Sequence, residues 1–506
     1  MATRRILALV LCLTPAMVRA EAPMSAIDWL SRSVTAPVQP SAPTARAGAA
    51  IPGPVDVQSL DHAGLDAAGL LTPRQTGLPR LLWGEGKATD IASRITAMPA
   101  NSLPALHELA MNLLLAEAAP PQGAGTEGLV FFARLDKLLA LGALDQAQGL
   151  LDASGSTDAR AFRRQFDIAL LQGTEDRSCR TLEASPQLAP TYPARIFCLA
   201  RSGDWSAAAV TLRAAQALGL VTLDEDHLMS RFLDPDLFEG EEPLPPPARP
   251  TPLEWRMFEA IGQPLPTYTL PLAFAHAELR DSSGWKARLE AAERLTRAGV
   301  LDPNQLLGLY TLQRPAASGG VWDRARAVQA LDRAISDGDA RRVAQALPVA
   351  WSQITQAELE VPFARLYAPQ LLALRLDGEA GRTAFRLGLL DGHYADAVRI
   401  HPAHDAEDRF LTAIATGDAT TVPSVDGLSR AVSAGFGPDS LPAEAEELIS
   451  QQRLGEAVFL GMDRLSRGIQ GDMRGVSEGI STLRALGLDK VARRIALQLM
   501  ILERRG

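Results

Sequence analysis

The feature that most constrains this chain is a six-residue turn that it uses repeatedly. Gly142-Ala143-Leu144-Asp145-Gln146-Ala147 has partners in Gly203-Asp204-Trp205-Ser206-Ala207-Ala208, Gly338-Asp339-Ala340-Arg341-Arg342-Val343 and Gly392-His393-Tyr394-Ala395-Asp396-Ala397. In each, the glycine supplies the left-handed residue that ends a helix. The third residue plugs the turn, and a small residue three further on lets the next helix approach. Gly142, Gly203, Trp205, Gly338, Gly392 and Tyr394 are therefore expected to mark helical hairpins. Residues 451–457 and 487–492 are looser copies.

Helical periodicity surrounds these turns. Ile91, Ile95 and Met98 share one face, Leu103, Leu106, Leu109, Leu113 and Leu114 the next, and a third run over 129–139 leads into Gly142. Helices are predicted over 285–298, 303–312 and 321–336. One starting near Leu272 is also expected, as is a polar-backed capping helix over 491–502. Aromatic residues make up only 5% of the chain, which favours closely packed helices over a sheet sandwich. The expected fold is all-α, an α-solenoid of stacked hairpins. It divides into a signal peptide (1–20), a short motif with a Pro/Ala-rich linker (21–54) and an N-terminal helical half (55–234), with an irregular start over 55–85. A connection (235–271) and a C-terminal helical half (272–506) follow. The connection holds ten prolines and the acidic run Glu239-Gly240-Glu241-Glu242; one amphipathic helix, over 252–261, is compatible with that density.

The turn at Ser202-Gly203-Asp204-Trp205, with Ala208 and Ala215 downstream, resembles the junction between the two helices of a tetratricopeptide repeat. Asp391-Gly392-His393-Tyr394 with Ala397 is the next best copy. The resemblance covers about six turns rather than whole repeats, and the family's period of about 34 residues is missing. It implies a degenerate helical-repeat protein with an extended surface for binding another protein.

The first twenty residues read as an export signal. Arg4 and Arg5 precede the apolar residues 6–13, and Val18-Arg19-Ala20 offers cleavage after Ala20. A periplasmic location follows from that reading. Without the signal, 47 basic residues face 59 acidic ones, a balance of −12 that argues against nucleic acid as a partner. No run is long enough to span a membrane. In an oxidising compartment Cys179 and Cys198 read as a disulfide, with two buried thiols as the alternative. Ile27, Trp29 and Leu30 form an apolar motif on a proline-rich tether. It either docks on the chain's own body or offers a short helix to a partner.

Chemical motifs are weak. Gly475-Val476-Ser477-Glu478-Gly479 fits a nucleophile-elbow string, but the setting is helical and the last histidine, His404, precedes it. Gly84-Glu85-Gly86-Lys87-Ala88-Thr89 departs from a phosphate loop, with Leu81 where the first glycine belongs and Ala88 in place of the hydroxyl. His401, His404 and Asp405, with Glu407 and Asp408, could assemble a metal site, although Pro402 and the acids also read as a helix entrance. Asp224-Glu225-Asp226-His227 carries the same pair of readings. No Glu-Ser pair or Gly-Leu-Met-Gln segment of a soluble lytic transglycosylase occurs. The expectation is a non-enzymatic scaffold or chaperone-like adaptor of the cell envelope. It would bind another envelope protein, with no cofactor, no nucleic acid and no membrane insertion. The alternative is a protein that binds or acts on peptidoglycan.

Overall fold

A computed structural model describes residues 64–100 and 102–502. The signal, the Ile27/Trp29/Leu30 motif, its linker and the start of the N-terminal half lie outside the described residues. Within them every regular element is a helix, and the only β pairing is two isolated bridges, Leu71 with Ala116 and Lys87 with Gln122. The fold is all-α.

All four turn glycines adopt left-handed backbone, with φ between 67° and 89°. They separate Leu129–Ala140 from Leu144–Ser154, Tyr192–Arg201 from Trp205–Ala217, Val321–Ser336 from Ala340–Gln356, and Gly378–Asp391 from Tyr394–Ile400. Ala147, Ala208, Val343 and Ala397 are fully buried where the second helix meets the first. Leu144 is buried as a plug, but Trp205 is not. Its ring is 50% exposed and leans on Phe232, with centroids 6.1 Å apart. An indole is too large for a gap that leucine fills, so it rests on the following helix instead. Gly173 and Gly471 open further turns of the same kind, before Glu175–Ala184 and Met473–Ala485. Glu358 and Gln452 hold the left-handed position without being glycine, at φ 56° and 58°.

The proline-rich connection contains the helix Pro252–Ala260, opened by a capping box between Thr251 and Glu254. Leu253, Met257 and Phe258 join a core formed with Phe162, Phe197 and the two cysteines, while Trp255 joins the main core. The helix expected near Leu272 is a 3₁₀ helix, Leu272–Leu279. Cys179 and Cys198 are bonded, tying Glu175–Ala184 to Tyr192–Arg201. Closing a loop of this size contributes about 3 kcal/mol in the chain-entropy account.

Two segments far apart in the described chain meet. Residues 82–86 lie against the turn at 452–456, where the Gly455 N–H donates to the Leu82 carbonyl at 2.8 Å. Trp83 stacks on Phe459 with centroids 6.1 Å apart. A Cβ on Gly455 would stand 2.4 Å from the Trp83 ring, and one on Gly84 2.3 Å from the Gln452 carbonyl oxygen. These contacts explain the glycines of the 84–89 string, which serve close approach rather than phosphate binding.

Pro104–Leu115 occupies the centre. Its sequence is apolar on nearly every side, which requires burial on nearly every side. It packs on Leu129–Ala140 and Asp489–Ile501. The Gln498 Oε1 accepts from the Ala105 N–H at 2.8 Å, satisfying one of the donors a helix start leaves open. Asp489–Ile501 is consequently no polar-backed cap. Ala492, Ile495, Ala496, Leu497 and Leu499 are buried, and it also meets Ala406–Thr416, Gly378–Asp391 and Met473–Ala485.

Two buried cations finish neighbouring helices. Arg134 donates to the carbonyls of Leu114, Ala68 and Ala116 at 2.6, 2.6 and 3.0 Å. Lys137 donates to Thr96 and Met98, both at 2.8 Å. Burial pulls Arg134 down to about 10 and Lys137 to about 8, so both remain largely protonated at neutral pH. Positive charge at a helix C-terminus is favourable, and here it also satisfies carbonyls that the helix cannot.

Three glycine substitutions check this packing. Gly455→Ala lowers stability by about 1–3 kcal/mol through overpacking. Gly84→Ala loses about 2 kcal/mol or more, because left-handed strain is added. Gly308 lies inside Pro303–Thr311 with nothing near its missing Cβ. Gly308→Ala therefore gains about 0.5–1 kcal/mol. Urea midpoints of the three variants measure all three effects.

Candidate functional site

A cavity of about 410 Å³ runs along one face of the central helix, bordered by Pro104, His107, Glu108, Met111, Asn112 and Leu115. That spacing is one helical stripe. Residues 296–305 form the facing wall, and the starts of Leu144–Ser154 and Glu360–Ala373 close the ends. The facing wall exists because Gly299, at φ 71°, terminates Trp285–Arg297. The Gly299 N–H donates to the Thr296 carbonyl at 2.9 Å and the Val300 N–H to Leu295 at 3.1 Å. The volume lies in the range of small-molecule sites.

Two polar side chains are buried beside this cleft, each with an atom that has no hydrogen-bond partner among the described residues. His107 is 7% exposed and its Nε2 makes no hydrogen bond; Thr296 is 1% exposed and its Oγ1 makes none. The His107 ring lies against Gly299, where a Cβ would stand 3.2 Å from Cδ2. Burial pushes the His107 imidazole down to about 4, against the opposing pull of Glu108, so it is neutral at physiological pH. Leaving a buried polar atom unpaired costs about 1–3 kcal/mol. At the rim, Glu108 bridges Arg365 at 2.9 Å and Arg494 at 2.7 Å, fastening three helices together. Arg297 donates to the Ala357 carbonyl at 2.8 Å, and Asp302 caps Pro303–Thr311.

The cluster around His401 is assembled differently. Asp405 caps Ala406–Thr416 by accepting from the Asp408 N–H at 2.8 Å, and Arg382 donates to it at 2.9 Å. Asp408 is fully buried and accepts from the His404 N–H at 3.2 Å. His401 stacks on Phe385 and lies 3.5 Å from Asp408, its basicity lowered by burial and raised by that carboxylate. The two imidazoles meet edge to face, yet among the described residues no three His, Cys, Asp or Glu gather to hold a metal. Asp224 to His227 begin a helix whose capping box pairs Thr222 with Glu225. Ser477 lies inside Met473–Ala485 and donates to the Arg474 carbonyl at 2.9 Å. The flanking glycines face the helix before: a Cβ on Gly475 would be 2.5 Å from the Arg464 carbonyl oxygen, and one on Gly479 2.5 Å from Leu465. That string is a close helix contact.

The cleft was not legible in the sequence as a site. His107 is a lone histidine on an apolar helix, and Thr296 is one more helical threonine. The available signal was three polar residues, His107, Glu108 and Asn112, set into an otherwise apolar helix. The chain matches no protein-family model, and no curated protein is significantly similar to it.

The neutral His107 makes stability depend on pH. Its folded pKa of about 4 lies below the unfolded value near 6.5, so the unfolded chain takes up its proton first as pH falls. The contribution is fully present above about 6.5 and is lost towards pH 4, amounting to roughly 3 kcal/mol. His107→Gln removes it. Between pH 7 and 4.5 the urea midpoint falls less in the variant than in the wild type; equal falls would show that His107 does not titrate in this way.

Proposed function

We propose that the protein is an exported, periplasmic scaffold or chaperone-like adaptor. In this reading its hairpins form a degenerate tetratricopeptide-like α-solenoid, and its working surface is the cleft on Pro104–Leu115. The observation that carries the reading is the cleft itself, a groove of about 410 Å³ along Pro104–Leu115 whose rim charges Glu108, Arg365 and Arg494 are already paired with one another. Two further points support the reading. The Cys179–Cys198 bridge suits an oxidising compartment, and among the described residues no helix is long and apolar enough to cross a membrane. The mature balance of −12 fits a neutral or basic partner.

Affinity purification of the tagged mature protein from its own periplasm, read by mass spectrometry, tests this. One reproducible protein partner is expected. Asn112→Arg, which places a charge in the cleft, reduces its recovery at least fivefold. Recovery of cell-wall fragments instead of protein moves the function to peptidoglycan, and recovery of nothing overturns the adaptor.

A further inference from the structure

A second surface shares no residue with the cleft. It lies on Trp205–Ala217 and on the turn that leads from it into Leu223–Leu233. We infer that the outer side of Trp205–Ala217, continued over that turn, is a docking face for a basic amphipathic segment of another protein. This inference does not use the cleft and stands apart from the adaptor reading.

Among the described residues fifteen large apolar side chains stand exposed, and five of them fall within residues 205–223. Trp205–Ala217 buries Ala208, Leu212 and Ala215. The opposite row, at helical spacing, is Val210, Ala214 and Ala217, running into Leu218, and all four are exposed. A helix covered on one side normally carries charge on the other, yet Arg213 is the sole charged residue of this helix. Val210 is 68% exposed and Leu218 71%. The chain then turns at Gly219, φ 64°, where the Leu220 N–H donates to the Ala215 carbonyl at 2.8 Å, and reaches the exposed Leu223. An apolar row carried through a helix and its turn is a contact surface.

Charge selects the occupant. Asp224, Glu225 and Asp226 follow Leu223 directly, and Asp226 accepts from the Gln216 amide, holding this acidic helix start against the end of the apolar one. Residues 204–242 hold nine acids and two arginines, a balance of −7 where the whole chain carries −9. A second copy would set one such field against another. The chain's own residues 21–54 hold two acids and two arginines, so they offer no complement. Phosphates of nucleic acid or of anionic lipid are repelled. An apolar stripe flanked by lysine or arginine fits both parts of the surface, its stripe on the Val210 row and its charges beside the acids.

The test uses the full mature protein and a labelled, end-capped peptide of about fourteen leucines and lysines, with its leucines at helical spacing. Fluorescence anisotropy is expected to show saturable binding that weakens about tenfold between roughly 50 and 300 mM salt. Val210→Ser combined with Leu218→Ser weakens it at least tenfold and leaves the urea midpoint unchanged, because both side chains stand in solvent. Asp224→Asn weakens it about threefold and flattens the salt dependence. Val349→Ser changes an exposed valine on Ala340–Gln356 and leaves binding as it was, and so does Asn112→Arg in the cleft. The same peptide with glutamate for lysine does not bind. The inference is overturned if the lysine peptide shows no saturable binding, if the glutamate peptide binds as tightly, or if Val349→Ser or Asn112→Arg weakens binding as much as the serine pair. Two further outcomes assign the face to another occupant and also overturn it. One is a wild-type dimer, seen by sedimentation, that the serine pair makes monomeric. The other is at least tenfold tighter peptide binding after deletion of residues 21–54. None of these results depends on whether a partner is retrieved from the periplasm, so the adaptor reading and this face fail separately.

Discussion

The contact between residues 82–86 and residues 452–456 holds an early part of the described chain against a late part. It joins segments some 370 positions apart through a backbone hydrogen bond, a stacked aromatic pair and two glycines that admit no side chain. Beside it, Glu456 is fully buried and paired with Arg453, with Arg94 3.7 Å away. Once this junction is fixed, Pro104–Leu115 is enclosed between early and late helices. Its apolar circumference becomes an asset instead of an exposed liability. The cleft lies along that helix, faced by residues 296–305, with Arg365 and Arg494 both bonded to Glu108 at its rim.

The same economy of space recurs elsewhere. Leu454–Ile469 and Met473–Ala485 approach closely because Gly468, Gly475 and Gly479 carry nothing at the contact. With few aromatic rings to fill volume, the chain reaches a dense interior through backbone proximity and small residues. Close backbones bring helix ends into apolar surroundings, where their free carbonyls need donors. Arg134 and Lys137 supply these on one helix, and Arg493 does so at Ala415 with a 3.1 Å bond. The preference for arginine over lysine in the sequence fits this role, since one guanidinium reaches several carbonyls at once.

What could be read in advance follows the range of the forces involved. The helices, their hairpin turns and the bridge between Cys179 and Cys198 depend on residues near one another in sequence, and local pattern carried them well. The plug role assigned to Trp205 failed, because the partner that accommodates the ring, Phe232, lies on the next helix. The polar-backed cap assigned to 491–502 failed for a related reason. Its arginines suggested solvent, whereas Arg493 and Arg494 point their charges at a carbonyl and at Glu108. The string around Ser477 and the glycines after Trp83 resembled chemical motifs because closeness to a substrate and closeness to another helix demand the same small residue. The cleft left little local trace, because the helix that carries His107 and the segment that carries Thr296 face each other only in the closed chain.

The bridging of Glu108 to Arg365 and Arg494 has a consequence for the protein's life history. A chain made from its N-terminus places Glu108 early and its last partner almost 400 residues later. The bridge to Arg494 therefore has no counterpart in a chain that has not yet reached that residue. A polypeptide emerging from a ribosome or a translocation pore carries the central helix long before it carries the side chain that locks it. Contacts of such long range form late in folding. The fastening of that helix thus waits on the last part of the described chain, and a copy ended before Arg494 lacks it.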